Sequence, residues 1–315
     1  MRTVLDALVP VFAIVLLGYG LRHYVLTQPH FWQGTSKLVY FLLLPALLIT
    51  RLAPSGLTLR VALPMWGIVL TTMMIIAGLV FLLHPHLAID GPGYTSMLQG
   101  SIRPNTYTGL AMVAALYGND GLSYAAIALA GMVPLANLLS VGVLVRHGTP
   151  RTITPAPGTP NSTWLALLIS LFRNPLVIAC IIGIAFNLAA VTIPRDLNNI
   201  LTVLAQAALP IGLLTVGAGL RPDRLHQRPT PLLVTTTLKL LLSPLLAWSL
   251  SLLVGATPIV QVVSVIFVAI PCATSSYILA EQLGGDYELM AGILTVETLV
   301  AAATLPILLF LLNVA

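Results

Sequence analysis

Two polar runs interrupt otherwise apolar stretches of this 315-residue chain, Arg103-Pro104-Asn105-Thr106-Tyr107-Thr108-Gly109 and Ile270-Pro271-Cys272-Ala273-Thr274-Ser275-Ser276. A proline inside a helix removes a backbone donor and clashes with the preceding turn, so each run is expected to break its helix. A helix restarting near Thr106 or Ser275 would present free N–H groups and the positive end of its dipole, an arrangement that binds anions. Arg103 adds a full charge that either neutralises an anionic ligand or pairs with an acid. The Asn105 amide can donate to a carboxylate while its carbonyl accepts from a hydroxyl or water, or the residue can simply cap the restarted helix. Pro104, Thr106, Pro271, Thr274, Ser275, Ser276 and, from another segment, Asn137 complete the candidate substrate contacts. Glu297, inside the apolar run around Val296-Glu297-Thr298-Leu299-Val300, is the candidate for proton or ion coupling. Its alternatives are a neutral packing acid or a partner of Arg103.

Hydrophobic residues make up 58% of the chain and charged residues 7%. A soluble domain carries about 25% charged residues, so this composition calls for a lipid solvent. The net charge of +5 comes from basic residues scattered over short loops without interleaved aromatics, which excludes a nucleic-acid partner. Cys180 and Cys272 have no metal-ligand spacing, and neither a metal nor a cofactor is expected. The six histidines and the aspartates fall in loops or at segment ends, which argues against catalytic pairs at mid-depth and against an enzyme.

Ten apolar segments approach the roughly 20 residues that cross a bilayer: 4-24, 36-53, 61-84, 93-117, 121-145, 164-191, 198-220, 231-254, 258-283 and 287-312. The Pro-, Thr- and Gly-rich stretch 146-162 divides them into repeats of five, 1-145 and 163-315. Pro10 and Gly18 recur as Pro175 and Gly183, and Leu44-Pro45-Ala46-Leu47-Leu48 recurs as Leu209-Pro210-Ile211-Gly212-Leu213. Five spans per repeat is odd, so the second repeat must be inverted. Eight basic residues (Arg22, Lys37, Arg146, Arg151, Arg173, Arg221, Arg224, Arg228) fall on one side and four (Arg2, Arg51, Arg60, Arg195) on the other. The richer side is cytoplasmic, with the 146-162 linker, and both termini are extracytoplasmic. The predicted fold is all-α, with ten transmembrane helices and broken, crossing fourth and ninth helices.

The chain resembles the auxin efflux carrier family of permeases, which includes plant auxin carriers and bacterial dicarboxylate carriers. The resemblance spans nearly the whole chain. It is carried by LVYFLLLPALL (38–48), PNTYTGL (104–110), NPLVIACIIGI (174–184), ALPIGLLTVGAGL (208–220) and IPCATSSYILAEQLGGD (270–286). It implies a scaffold and a moving subdomain, an anionic carboxylate substrate held at the crossing by Asn105 and its neighbours, and a homodimer through the scaffold. The long cytoplasmic loop of the plant carriers is absent.

The expectation is thus a secondary transporter of a small organic anion in the cytoplasmic membrane, working by alternating access, with the lipid bilayer and a coupled proton as its other partners. The alternatives are a sodium-coupled symporter of bile-acid-transporter-like architecture and a membrane receptor without transport. Outside the site, Lys239 is expected to snorkel to headgroups, Gln206 to bond between helices, Glu281 and Asp286 to be solvated or capping, and Asp6 to sit at the interface.

Overall fold

A computed structural model describes residues 2–54, 59–87, 89–149, 174–224 and 228–312. Its helices are α1 (Arg2–Gly20), α2 (Pro29–Leu38), α3 (Leu44–Leu52), α4 (Leu59–Leu83), α5 (Gly91–Ile102), α6 (Thr106–His147) and α7 (Pro175–Leu188). They continue as α8 (Arg195–Ala218), α9 (Pro229–Thr237), α10 (Ser243–Leu253), α11 (Pro258–Ala269), α12 (Ser275–Leu283) and α13 (Tyr287–Leu311). Among the described residues no strand forms, which suits a chain in lipid, where a helix satisfies its own backbone.

Among the described residues seven helical segments are long and apolar enough to cross a membrane: Val4–Val25, Pro29–Leu52, Leu59–His86, Thr106–His147, Arg195–Ala218, Pro229–Leu253 and Tyr287–Leu311. The difference from the ten apolar segments of the sequence has local causes. The break after Ile102 leaves α5 only 12 residues long, and the break after Ala269 splits another segment into helices of 12 and 9 residues. Thr106–His147 is 42 residues long but turns at Gly118, whose φ of 58° and ψ of −143° only glycine adopts readily. The linker residues 150–162, and the start of the 164-191 segment up to residue 173, lie outside the described residues.

Pro45 and Pro244 each follow a π-helical turn, Val39–Leu43 and Leu238–Leu242, that joins α2 to α3 and α9 to α10. Such a turn absorbs the hydrogen bond that proline cannot donate and lets each segment run on across its proline.

The helices pack as two groups. In one, α1 lies along α8, and α3 packs on α7 and α8. In the other, α11 packs on α4, α6 and α10, and α5 packs on α4, α6, α9 and α13. The helix α6 touches both. Glycines set the closest approaches of the first group. A side chain on Gly217 would strike the Val15 carbonyl, one on Gly18 the Leu214 backbone, and one on Gly183 the Leu52 side chain. Small residues of this kind let helices pack closely where lipid offers no hydrophobic drive. Under the sequence offset, α1 against α8 becomes α7 against α3. Large apolar side chains such as Leu16, Phe41, Phe81, Leu233 and Leu311 cover the outer surface.

On one face, Arg228 bridges Asp90 at 3.0 Å and Asp286 at 3.3 Å, tying together the starts of α5, α9 and α13. Partial burial pushes the Asp90 carboxyl up, but the hydrogen bond and charge of Arg228 outweigh it and hold the carboxyl below its usual range. Asp286 caps α13 by accepting from Leu289 N at 2.9 Å, the capping role open to it in the sequence. Gln206 instead lies exposed on α8 and makes no interhelical bond among the described residues.

Candidate functional site

The two breaks meet. Pro104 and Cys272 pair as a short antiparallel bridge, and Asn105 N donates to Pro271 O at 2.9 Å. At each break the backbone is extended, with ψ of 118° at Arg103 and 153° at Ile270, so main-chain groups that a continuous helix would consume are left over. Each break uses some of them to satisfy the other, which a low-dielectric setting demands. The helices then restart at Thr106 and Ser275.

Asn105 is buried and caps α6, its Oδ1 accepting from Thr108 N at 3.2 Å. Its Nδ2 lies 3.5 Å from Cys272 O, at the outer limit of a hydrogen bond. Arg103 Nη2 donates to Ser275 Oγ at 3.2 Å. Arg103 is 9% exposed, and its Nη1 is buried with no protein partner among the described residues.

A cavity of about 50 Å³ adjoins the crossing. Its walls include Arg103, Pro104, Asn105, Thr106, Thr274, Ser275 and Asn137 of the residues expected from sequence, together with Tyr40, Tyr107 and Asn174. Among the described residues lining it there is no acid. The space holds a few waters, so a larger ligand requires the walls to part.

Pro271 and Ser276 lie behind the crossing instead of lining the cavity. The Pro271 carbonyl is consumed by Asn105, and Ser276 Oγ accepts from the Cys272 thiol at 3.2 Å. Glu297 is also behind. Its Oε2 accepts the Cys272 N–H at 2.7 Å, so this carboxyl repairs the second break directly.

Among the described residues Glu297 makes no ion pair with Arg103; the other buried cation whose charge bears on it is Lys239. Lys239 is 1% exposed and does not snorkel. Lys239 follows Leu232, Thr235 and Thr236 at regular helical spacing, so the packed face of α9 carries its side chain inward. Gln99 completes the polar layer, with its carbonyl near the Cys272 thiol and its buried side-chain amide unpaired among the described residues.

Sequence reasoning missed three participants. Lys239 was read by its nearness to a segment end, Gln99 lay unremarked in an apolar run, and Asn174 was noted only as the first residue of the NPLVIACIIGI motif. The signal for Asn174 was its own dipeptide, since Asn-Pro inside an apolar stretch marks a helix start buried in protein.

A family model described as "Membrane transport protein" matches residues 3–309. A Rhizobium meliloti (strain 1021) protein named "Putative malonate transporter" is 26% identical over 330 residues, covering 99% of this chain and 97% of its own length. A Methanothermobacter thermautotrophicus protein named "Uncharacterized transporter" is 23% identical over 307 residues, covering 96% of each chain.

Proposed function

We propose, because the chain belongs to the membrane transport protein family that its motifs indicated as auxin efflux carriers, that it is a secondary transporter carrying a small organic anion, a carboxylate, across the cytoplasmic membrane. The observation that carries this reading is Arg103. A guanidinium buried beside a cavity without an acid is expensive unless its counter-charge arrives with the ligand. A carboxylate suits the planar fork of arginine, and the N-termini of α6 and α12 favour the same sign of charge. The name of the Rhizobium relative supports a carboxylate substrate.

The architecture proposed is ten membrane helices in two inverted repeats, residues 1-145 and 163-315, joined by a cytoplasmic linker at 146-162, with both termini outside. The exchange of α1 against α8 for α7 against α3 under the sequence offset supports this. In this scheme α1, α3, α7 and α8 form the scaffold, through which a homodimer assembles. The group containing the crossing moves against it and exposes the cavity alternately to each side. Asn105, Thr106, Thr274, Ser275 and Asn137 contact the substrate with Arg103, while Pro104, Pro271 and Ser276 shape the breaks. Glu297 couples transport to a proton, since its bond to Cys272 N–H links its charge state to the second break.

The test is a thermal-shift screen of the purified full chain against carboxylates, amines and sugars, with pH and sodium varied, followed by uptake into proteoliposomes. A ligand at 100 times its Kd stabilises the folded state by about 2.7 kcal/mol, well within reach of such a screen. The expected result is stabilisation by carboxylates alone, with saturable uptake of those that bind. No stabilisation and no uptake across the carboxylates would overturn the reading.

A further inference from the structure

The cavity has a polar group on the wall that the moving group does not supply. Asn174 immediately precedes α7, a 14-residue helix of the α3–α8 cluster, and lines the same cavity as Arg103. It is 7% exposed. Its Oδ1 is fully committed, accepting from Leu176 N at 2.9 Å and Val177 N at 3.4 Å, and its backbone carbonyl accepts from Ile178 N at 3.1 Å. Those bonds fix the orientation of the amide, so Nδ2 must point away from the helix. Among the described residues neither of its two N–H donors has a protein acceptor. Because the residue lines the cavity, water or a ligand held there can accept from Nδ2.

A cap alone does not require this residue, because aspartate or serine caps as well as asparagine. What asparagine adds is a pair of donors on the far side of the helix start. Asn174 lines the same small cavity as Arg103, whose Nη1 is unpartnered among the described residues, and it has the α7 dipole behind it.

Resting on the anion reading above, we propose that Asn174 is a second substrate-binding group, which selects anions carrying a hydrogen-bond acceptor at the end remote from Arg103. Arg103 and the crossing hold the charged end. Asn174 Nδ2 donates to a carbonyl or second carboxylate oxygen at the other. The substrate then bridges the two helix groups, and an anion with an apolar tail leaves the Asn174 donors unmet. A site built around buried donors discriminates strongly against a ligand that cannot accept from them.

The test uses three anions of equal chain length: succinate, its monoamide succinamate, and butyrate. Affinities come from thermal shift and from competition for uptake in proteoliposomes. Wild type is expected to bind succinate and succinamate about two- to tenfold tighter than butyrate, the worth of one hydrogen bond. Asn174→Ser retains the cap but replaces both amide N–H donors with a hydroxyl on a side chain too short to reach across the cavity, so it should erase that preference while keeping butyrate affinity within about twofold. Asn174→Asp also caps but adds a negative charge, and it should weaken succinate more than butyrate. If Asn174→Ser changes all three ligands equally, or none, Asn174 is only a cap and the inference fails while the anion reading stands. If wild type binds none of the three, the anion reading fails, and this one with it.

Discussion

Replacing Arg103 with glutamine should move binding and stability in opposite directions. The side chain is buried beside the cavity, donates one hydrogen bond to Ser275 Oγ at 3.2 Å, and leaves Nη1 without a protein partner. A buried charge lacking a counter-charge is a cost to the ligand-free protein, and glutamine removes it. Loss of the Ser275 bond is worth about 0.5–1.5 kcal/mol in the other direction, and the glutamine amide can replace part of it. The ligand-free protein should therefore melt at the same temperature or higher. Binding should suffer. A hydrogen bond to a charged group contributes about 1.5–3 kcal/mol, so losing the one that Nη1 would make to a carboxylate weakens affinity by roughly 10- to 150-fold. The assay is a melting curve of purified protein with and without a saturating carboxylate, paired with concentration-dependent uptake in proteoliposomes. A variant that melts far below wild type yet keeps its affinity would refute the reasoning, because Arg103 would then be a brace and not a ligand.

Other residues test the remaining parts of the site and fold. Asn105→Ala should fold, at a stability cost of about 1 kcal/mol for the lost cap, and lose about 1–3 kcal/mol of substrate affinity; unchanged binding would leave Asn105 a cap alone. Glu297→Gln keeps an acceptor for the Cys272 N–H and removes the titration, so transport of a substrate of fixed charge should lose its pH dependence; a profile identical to wild type would exclude Glu297 as the coupling group. Gly217→Ala places a methyl against the Val15 carbonyl and should destabilise by about 1–3 kcal/mol through overpacking of α1 on α8, whereas Gly20→Ala meets open space and should be neutral or better. Equal melting temperatures for those two variants would undo the close-packing account. A cysteine at Thr159 should react with an impermeant maleimide only after the membrane is opened, against a quiet background because Cys180 and Cys272 are both buried; labelling in intact cells would reverse the topology.

Composition and segment length by themselves determined that this chain is a helical membrane protein, because lipid exposure and backbone self-satisfaction leave few other solutions. The motifs determined its family, and the symmetric prolines located both helix breaks, because proline's missing donor acts locally whatever surrounds it. The types at the first break, Arg103 and Asn105, motivated the anion reading proposed above.

Tertiary structure decided which of the marked residues share a space. Pro271 and Ser276 sit beside cavity residues in sequence, yet the crossing turns them behind it. Glu297 and Lys239 are 58 residues apart, and no local rule joins them. Lys239 looked like a snorkelling lysine because it was placed by its nearness to a segment end, whereas its helical register with Leu232, Thr235 and Thr236 sets it on the packed face. Asn174 reads as a cap in any sequence. Only the packing of α7 on α3 and α6 brings its unused amide to the same cavity as Arg103, because proximity between distant segments is set by how helices pack and not by the residues that begin them.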